Sequence, residues 1–198
     1  MGIKETIYNA FGQLSPFRKK EKNILILLIF FSVFIRIPII FLFGDTNLDN
    51  EWKIIVENLV EHQQFSLSRF DKFFLPNLTM PPLYALYLYF FSIFNLDQSN
   101  YVLLVLASHT LLSGISVALF YKINKIFFSQ KISFYSSLFF SLFPLHVHAC
   151  GQISSITLQI FFLILFFYFF FQFVEKKNIL SIILFSLVTG LLILLRAE

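Results

Sequence analysis

Charge is what this chain has least of. Only 13% of its 198 residues are Asp, Glu, Lys or Arg, against 58% hydrophobic residues, and thirty are Phe. With a mean hydropathy of +0.78, a soluble domain of this size has nowhere to hide so much apolar surface. Cysteine is nearly absent. The lone Cys150 excludes an internal disulfide and a Cys-based metal cluster, and reads as a small apolar residue at a helix end. Six Gly and six Pro are too few for a low-complexity linker. The net charge of +4 does not imply nucleic acid, because the cations flank apolar runs and form no stripe. No cleavable leader is expected, since the first apolar run, from near Asn23, is about twenty residues long and no small-residue cleavage site follows.

What remains is membrane sequence. About twenty apolar residues cross the hydrocarbon, and runs of that kind lie at roughly 24–43, 101–121, 133–150, 155–174 and 179–195. A further stretch, 81–95, opens on Pro81-Pro82 and is short. Charge decides its place. Arg18, Lys19, Lys20 and Lys22 put the amino-terminal flank, 1–22, in the cytoplasm. If 81–95 lies in the interface, Lys122, Lys125, Lys131, Lys176 and Lys177 also fall inside, and every short loop obeys the positive-inside bias. The expected fold is therefore all-α: a single polytopic bundle of about five transmembrane helices, with juxtamembrane helices in an outer loop at 44–100. Tyr84, Tyr87 and Tyr89 suit the headgroup region. The protein is expected to be integral and multi-pass in the plasma (inner) membrane, in contact with membrane lipid.

The outer loop holds the candidate chemistry. From Glu51 to His62, Trp52, Ile55, Val56, Leu59 and Val60 recur at helical spacing, which predicts an amphipathic helix on the membrane surface. Glu51, Asn58, Glu61 and His62 are left toward water or a cavity. Asp49 sits at its start, where a carboxylate either serves chemistry or simply caps the helix. Arg36 lies two-thirds along the first run. It either snorkels to the outer headgroups or pairs with Asp45 or Asp49 inside the bundle. His146 and His148, at i, i+2, diverge on a helix and read as polar lining, not metal ligands. His109, beside Ser108 and Thr110, reads as an interhelical hydrogen-bonder.

The order of motifs resembles a known family. An acidic residue after the first span is followed by Glu51-Trp52, Asn58-Leu59, Phe65-Ser66 and Pro81-Pro82-Leu83-Tyr84. Later come Phe143-Pro144, Ser155-Ile156-Thr157-Leu158, Gly190-Leu191-Leu192 and Arg196-Ala197-Glu198. This series is similar to the polytopic glycosyltransferases of GT-C fold that use polyprenyl-phosphate sugars: the protein O-mannosyltransferase, aminoarabinose-transferase and lipopolysaccharide-core group. The chain departs from the pattern in having Trp52 for Tyr, Ile156 for Glu, and Asp49 two residues before Glu51 in place of three. Members are commonly more than twice as long, so the resemblance makes this chain correspond to their amino-terminal half.

The resemblance implies transfer of a sugar from a polyprenyl-phosphate donor to an acceptor hydroxyl on a glycan, lipid or protein. Asp49 is then the general base with Glu51 assisting. Arg196, with Glu198, holds the donor phosphate, and Arg69 or Lys72 are alternatives. Arg36, Asn58 and His62 complete the implied substrate-binding set. A divalent cation is the one cofactor left open. The competing class is a non-catalytic membrane protein, either a degenerate relative or a transporter-like bundle; unbroken spans with polarity gathered in the outer loops favour the enzyme.

Overall fold

The computed structural model describes residues 19–67 and 80–195. Arg69, Lys72, Arg196 and Glu198 lie outside the described residues, as does most of the amino-terminal flank. Every regular element among the described residues is an α-helix: α1 Lys19–Phe43, α2 Asn50–His62, α3 Pro82–Ser92, α4 Gln98–Phe127, α5 Gln130–Leu142, α6 Pro144–Ala149, α7 Ile156–Lys176 and α8 Ile179–Leu195. Three of them, over Glu21–Phe43, Gln98–Phe127 and Ile156–Glu175, are long and apolar enough to cross a membrane. The shorter α8 is equally apolar in character.

The expected run at 133–150 is not one helix. It breaks into α5 and α6 at Phe143, whose backbone is extended (φ −60, ψ 120). Pro144 causes the break: its ring disfavours helical geometry in the residue before it, and it brings no N–H to continue the ladder. At 1.5 Å per residue, α5 alone is roughly 20 Å long, short of a bilayer core of about 30 Å.

Side-chain contacts fix the directions. Lys125 near the end of α4 pairs with Glu21 at the start of α1, and mid-helix Gly114 faces Ile29 and Val33, so α1 and α4 are antiparallel. Phe127 meets Phe171, which returns the end of α7 to that same end. Phe166, Phe170 and Phe173 pack on Phe185 of α8. Leu195, closing α8, joins Leu48, Val56 and Tyr84 in the main core cluster at the opposite end. The segments α1, α4, α5–α6, α7 and α8 thus alternate in direction. Lys125 and Lys131 gather at one end; Asp45, Asp49 and Glu51 lie at the other, the grouping expected from charge.

Small residues let the helices approach. Ser133, Ser137 and Ser141 form a buried stripe at i, i+4, i+8 on α5, which packs on α4 and α1. Their hydroxyls donate to carbonyls of the preceding turn, so the stripe carries no unsatisfied hydroxyl. A Cβ at Gly114 would meet Val33 Cγ2 at 3.3 Å, so this α1–α4 crossing leaves little room for a side chain. Outward faces are the reverse of a soluble protein: Phe30, Phe41 and Phe139 are each more than 70% exposed. Continuous apolar exposure on several helices is consistent with a membrane protein.

At the acidic end, α2 and α3 pack on each other, and α3 also on α4 and α8. α2 buries Ile55 and Val56 and leaves Glu57 and Glu61 outside, as its periodicity predicts, but Asn58, expected toward water or a cavity, is buried, and Val60, expected on the apolar face, is 53% exposed. α3 has Pro at its first position, where a missing N–H costs nothing, and runs eleven residues. Two of the three tyrosines expected to face the headgroups, Tyr84 and Tyr87, turn to the protein interior. Tyr84 is fully buried and Tyr87 hydrogen-bonds Ser108 of α4. Both turn inward because Tyr84, Ala85, Leu88 and Phe91 make one helical face.

Gly44 ends α1 through a Gly44 N–H to Ile40 carbonyl bond of 2.9 Å. A Cβ there would lie well inside van der Waals contact of that same backbone carbonyl. Gly44→Ala should therefore lower stability by roughly 1–3 kcal/mol. Gly190, whose Cβ would meet nothing within 4 Å, should accept Ala with a gain of about 0.5–1 kcal/mol. Thermal unfolding of both variants in detergent checks the pair; a Gly44→Ala midpoint at or above the parent value contradicts the packing described.

Candidate functional site

The acidic segment begins with a clamp. The Asp45 N–H donates to the Gly151 carbonyl at 2.8 Å, and its Oδ2 accepts the Ile153 N–H at 2.7 Å. This ties the end of α1 to the turn between α6 and α7, where the Gly151 Cβ position lies 3.4 Å from Gly44 Cα. Thr157 secures the same turn by donating to the Ala149 carbonyl at 3.0 Å. Asp45 is thus committed to backbone.

Asp49 stands at the N-cap position of α2, with extended backbone (φ −118, ψ 179), yet its side chain makes no capping bond. It is exposed, as is Glu51. The capping position is real and the capping interaction is not made. On either side of Asp49, Leu48 and Trp52 turn inward. Leu48 joins the main cluster and Trp52 meets Tyr84 edge-on at 4.7 Å. Asn58 is a brace. Its side chain donates to the Ser66 carbonyl at 2.8 Å, and its own carbonyl accepts the Gln63 and Gln64 N–H groups that close α2. His62 is exposed beside Glu61, 3.8 Å away.

Arg36 overturns both of its expected readings. It is 0% exposed, so it does not snorkel, and none of its partners among the described residues is a carboxylate. Nη1 donates to the Ser32 carbonyl (2.9 Å), Ser32 Oγ (2.6 Å) and the Ser141 carbonyl (3.2 Å). Nη2 lies 3.2 Å from His146 Nδ1, and His146 Nε2 lies 2.8 Å from Ser113 Oγ. A guanidinium only donates, so Nδ1 must accept and Nε2 must carry the proton given to Ser113. His146 is buried against Phe140 at 4.5 Å, whereas His148 is exposed. Cys150 donates to the His146 carbonyl at 3.2 Å. Four helices, α1, α4, α5 and α6, meet in this network.

A second polar group lies between α3 and α4. His109 is fully buried and stacks on Tyr87 (5.7 Å) and Tyr84 (6.1 Å). No side chain on a neighbouring helix partners its ring, and the backbone group that acts on it is Gln152, in the turn before α7. Both ring nitrogens of His109, with the Tyr84 hydroxyl and Thr110 Oγ1, meet no hydrogen-bond partner among the described residues. Each such group costs about 1–3 kcal/mol when buried unpaired, a cost that a bound water or the polar group of a ligand would offset. This polar group lies under the acidic segment, joined to it through Trp52. No three His, Cys, Asp or Glu side chains converge among the described residues.

The chain matches no family model, no curated protein and no solved structure.

Nothing local in the sequence pairs Arg36 with His146 or Asp45 with Ile153, since these partners stand 110 and 108 residues apart. One local signal existed: Ser32 lies one helical turn before Arg36 and can accept its guanidinium.

Burial pushes the Tyr87 hydroxyl up to about 12, with the Ser108 hydrogen bond opposing in part. A tyrosine raised above its unfolded value near 10 contributes stability that is complete below about pH 10 and is lost as pH rises toward 12. Tyr84, raised further by burial, adds to the same trend. Unfolding midpoints should hold level to about pH 10 and then fall. Tyr87→Phe should make that fall shallower; an unchanged slope contradicts the placement of Tyr87 against α4.

Proposed function

We propose that this chain transfers a sugar from a polyprenyl-phosphate donor to an acceptor hydroxyl at the outer face of the plasma membrane, or forms the amino-terminal half of a protein of GT-C type that does so. In this reading the amino terminus is cytoplasmic, by the positive-inside bias acting on Lys125, Lys131 and their neighbours. Five segments cross, with α5 and α6 together making one broken span. The observation that supports the reading is the buried pair Tyr84 and His109, in ring contact and without hydrogen-bond partners among the described residues, near an exposed carboxylate that is not used for capping. Such buried donors and acceptors fit the hydroxyl groups of a sugar, and a free carboxylate at the rim fits a base.

The chemistry balances without another reactant. The Asp49 carboxylate takes the acceptor hydroxyl proton as the acceptor oxygen bonds to the anomeric carbon. The bond from that carbon to the phosphate oxygen breaks, and its electron pair leaves on polyprenyl phosphate. Arg196, in the segment beyond Leu195, is assigned to the departing phosphate because two parallel hydrogen bonds suit its oxygens; Arg69 and Lys72 are the alternatives. Glu51 positions the acceptor.

The second reading, a non-catalytic bundle, draws on a different observation: the Arg36 network ties most of an intramembrane cation's hydrogen bonds to protein groups, as a structural element would. Transfer of labelled sugar from polyprenyl-phosphate mannose or aminoarabinose, by membranes containing this chain, separates the two. Asp49→Asn, which keeps shape and removes basicity, should lower turnover by about two to four orders of magnitude. Turnover near the parent rate would leave Asp49 as a helix-start residue only, and a comparable loss from Glu51→Gln alone would move the base there.

A further inference from the structure

At the end of the bundle opposite Asp49, a cleft of about 610 Å³ opens between the amino-terminal parts of α1 and α5. We infer that it binds an anionic glycerophospholipid, with Lys131 on the phosphate and the acyl chains along Ile24, Leu27 and Phe134. The inference rests on the membrane-spanning part of the proposed function and not on catalysis.

Three observations carry it. The first is the division of the lining. Asn23, Gln130 and Lys131 supply polar groups nearer that end, with Ile24 beside Asn23, while Leu27 and Phe134 supply apolar surface about one turn deeper. That is the order of a lipid: headgroup at the rim, chains below. The second is charge. Lys131 makes no ion pair among the described residues, and the nearby Glu21 is already engaged by Lys125, so no described acid at this end neutralises Lys131. Lys22, next to Asn23 in sequence, is exposed as well. Basic pockets between spanning helices at the positively flanked face are the usual seats of anionic headgroups. The third is access. Leu27 is 53% and Tyr135 66% exposed, so the cleft opens sideways toward lipid, and its volume lies in the range of small-molecule sites. A free phosphate would use the polar rim and leave the apolar wall unused. Ser129, at the N-cap of α5, makes no capping bond, which leaves the first N–H groups of that helix available to phosphate oxygens.

The test is native mass spectrometry of the full chain released from detergent, titrated with phosphatidylglycerol and phosphatidylcholine of identical acyl chains. Phosphatidylglycerol should bind about fivefold more tightly, the scale set by one Lys near a lipid headgroup. Lys131→Gln, at an exposed position, should bring the ratio close to one. Leu27→Trp, which fills the cleft, should weaken both lipids. Equal binding of the two lipids by the parent chain overturns the proposal, as does a preference that survives Lys131→Gln or binding that ignores Leu27→Trp. Full displacement of phosphatidylglycerol by millimolar inorganic phosphate also overturns it, in favour of a simple anion site. None of these outcomes depends on sugar transfer, so the two proposals fail separately.

Discussion

The fold depends on a buried cation without a carboxylate. Removing a guanidinium from water costs several kcal/mol unless its donors are met. Here neutral groups meet the two terminal nitrogens, Ser32 from the same helix, the Ser141 carbonyl and His146, while Nε has no partner among the described residues. The break at Phe143–Pro144 makes this possible. It leaves the last carbonyls of α5 without intrahelical partners, and Ser141 turns its own to Arg36. It also re-aims the chain so that His146 reaches Arg36 on one side and Ser113 on the other. A continuous helix over 133–150 would satisfy Ser141 internally and leave the guanidinium short of acceptors. The helix break and the buried arginine are thus two halves of one feature.

From that lock the acidic end is built outward. Arg36 holds α1 against α5 and α6; two turns further on, Asp45 holds the end of α1 against the turn leading to α7. With Gly44 and Gly151 in close approach, the chain leaves α1 in a set direction, and Leu48, Trp52 and Val56 of the following segment fall onto Tyr84 and the amino-terminal half of α4. The exposed Asp49 and Glu51 and the unpaired Tyr84, His109 and Thr110 take their relative places from this framework.

Local pattern made much of the architecture legible. The amphipathic period of 51–62 corresponds to α2, the Pro pair marks the start of α3, and the Lys distribution anticipates which helix ends lie together. The rest was set by long-range partners. An apolar run with Phe143-Pro144 inside it reads as one span on hydropathy, since Pro is tolerated in membrane helices when neighbours satisfy the freed groups. What those neighbours are, Arg36 above all, is invisible in a window of twenty residues. His109 shows the opposite case: its polar neighbours in sequence promised hydrogen bonds, but the α3 tyrosines cover it with ring faces. At the candidate site, Asp49 was legible as a helix-start carboxylate, and only the structure shows that the cap bond is not made.

A double-mutant cycle on Arg36 and His146 tests the central claim most directly. His146→Phe keeps the stacking on Phe140 but leaves the buried guanidinium short of an acceptor, so it should be strongly destabilising; adding Arg36→Met removes the orphaned charge and should restore part of the loss. Measured by unfolding in detergent, the coupling should be about 0.5–3 kcal/mol, with the double variant more stable than His146→Phe alone. Effects that add within about 0.5 kcal/mol would mean that Arg36 and His146 act independently, and the lock described here would not exist.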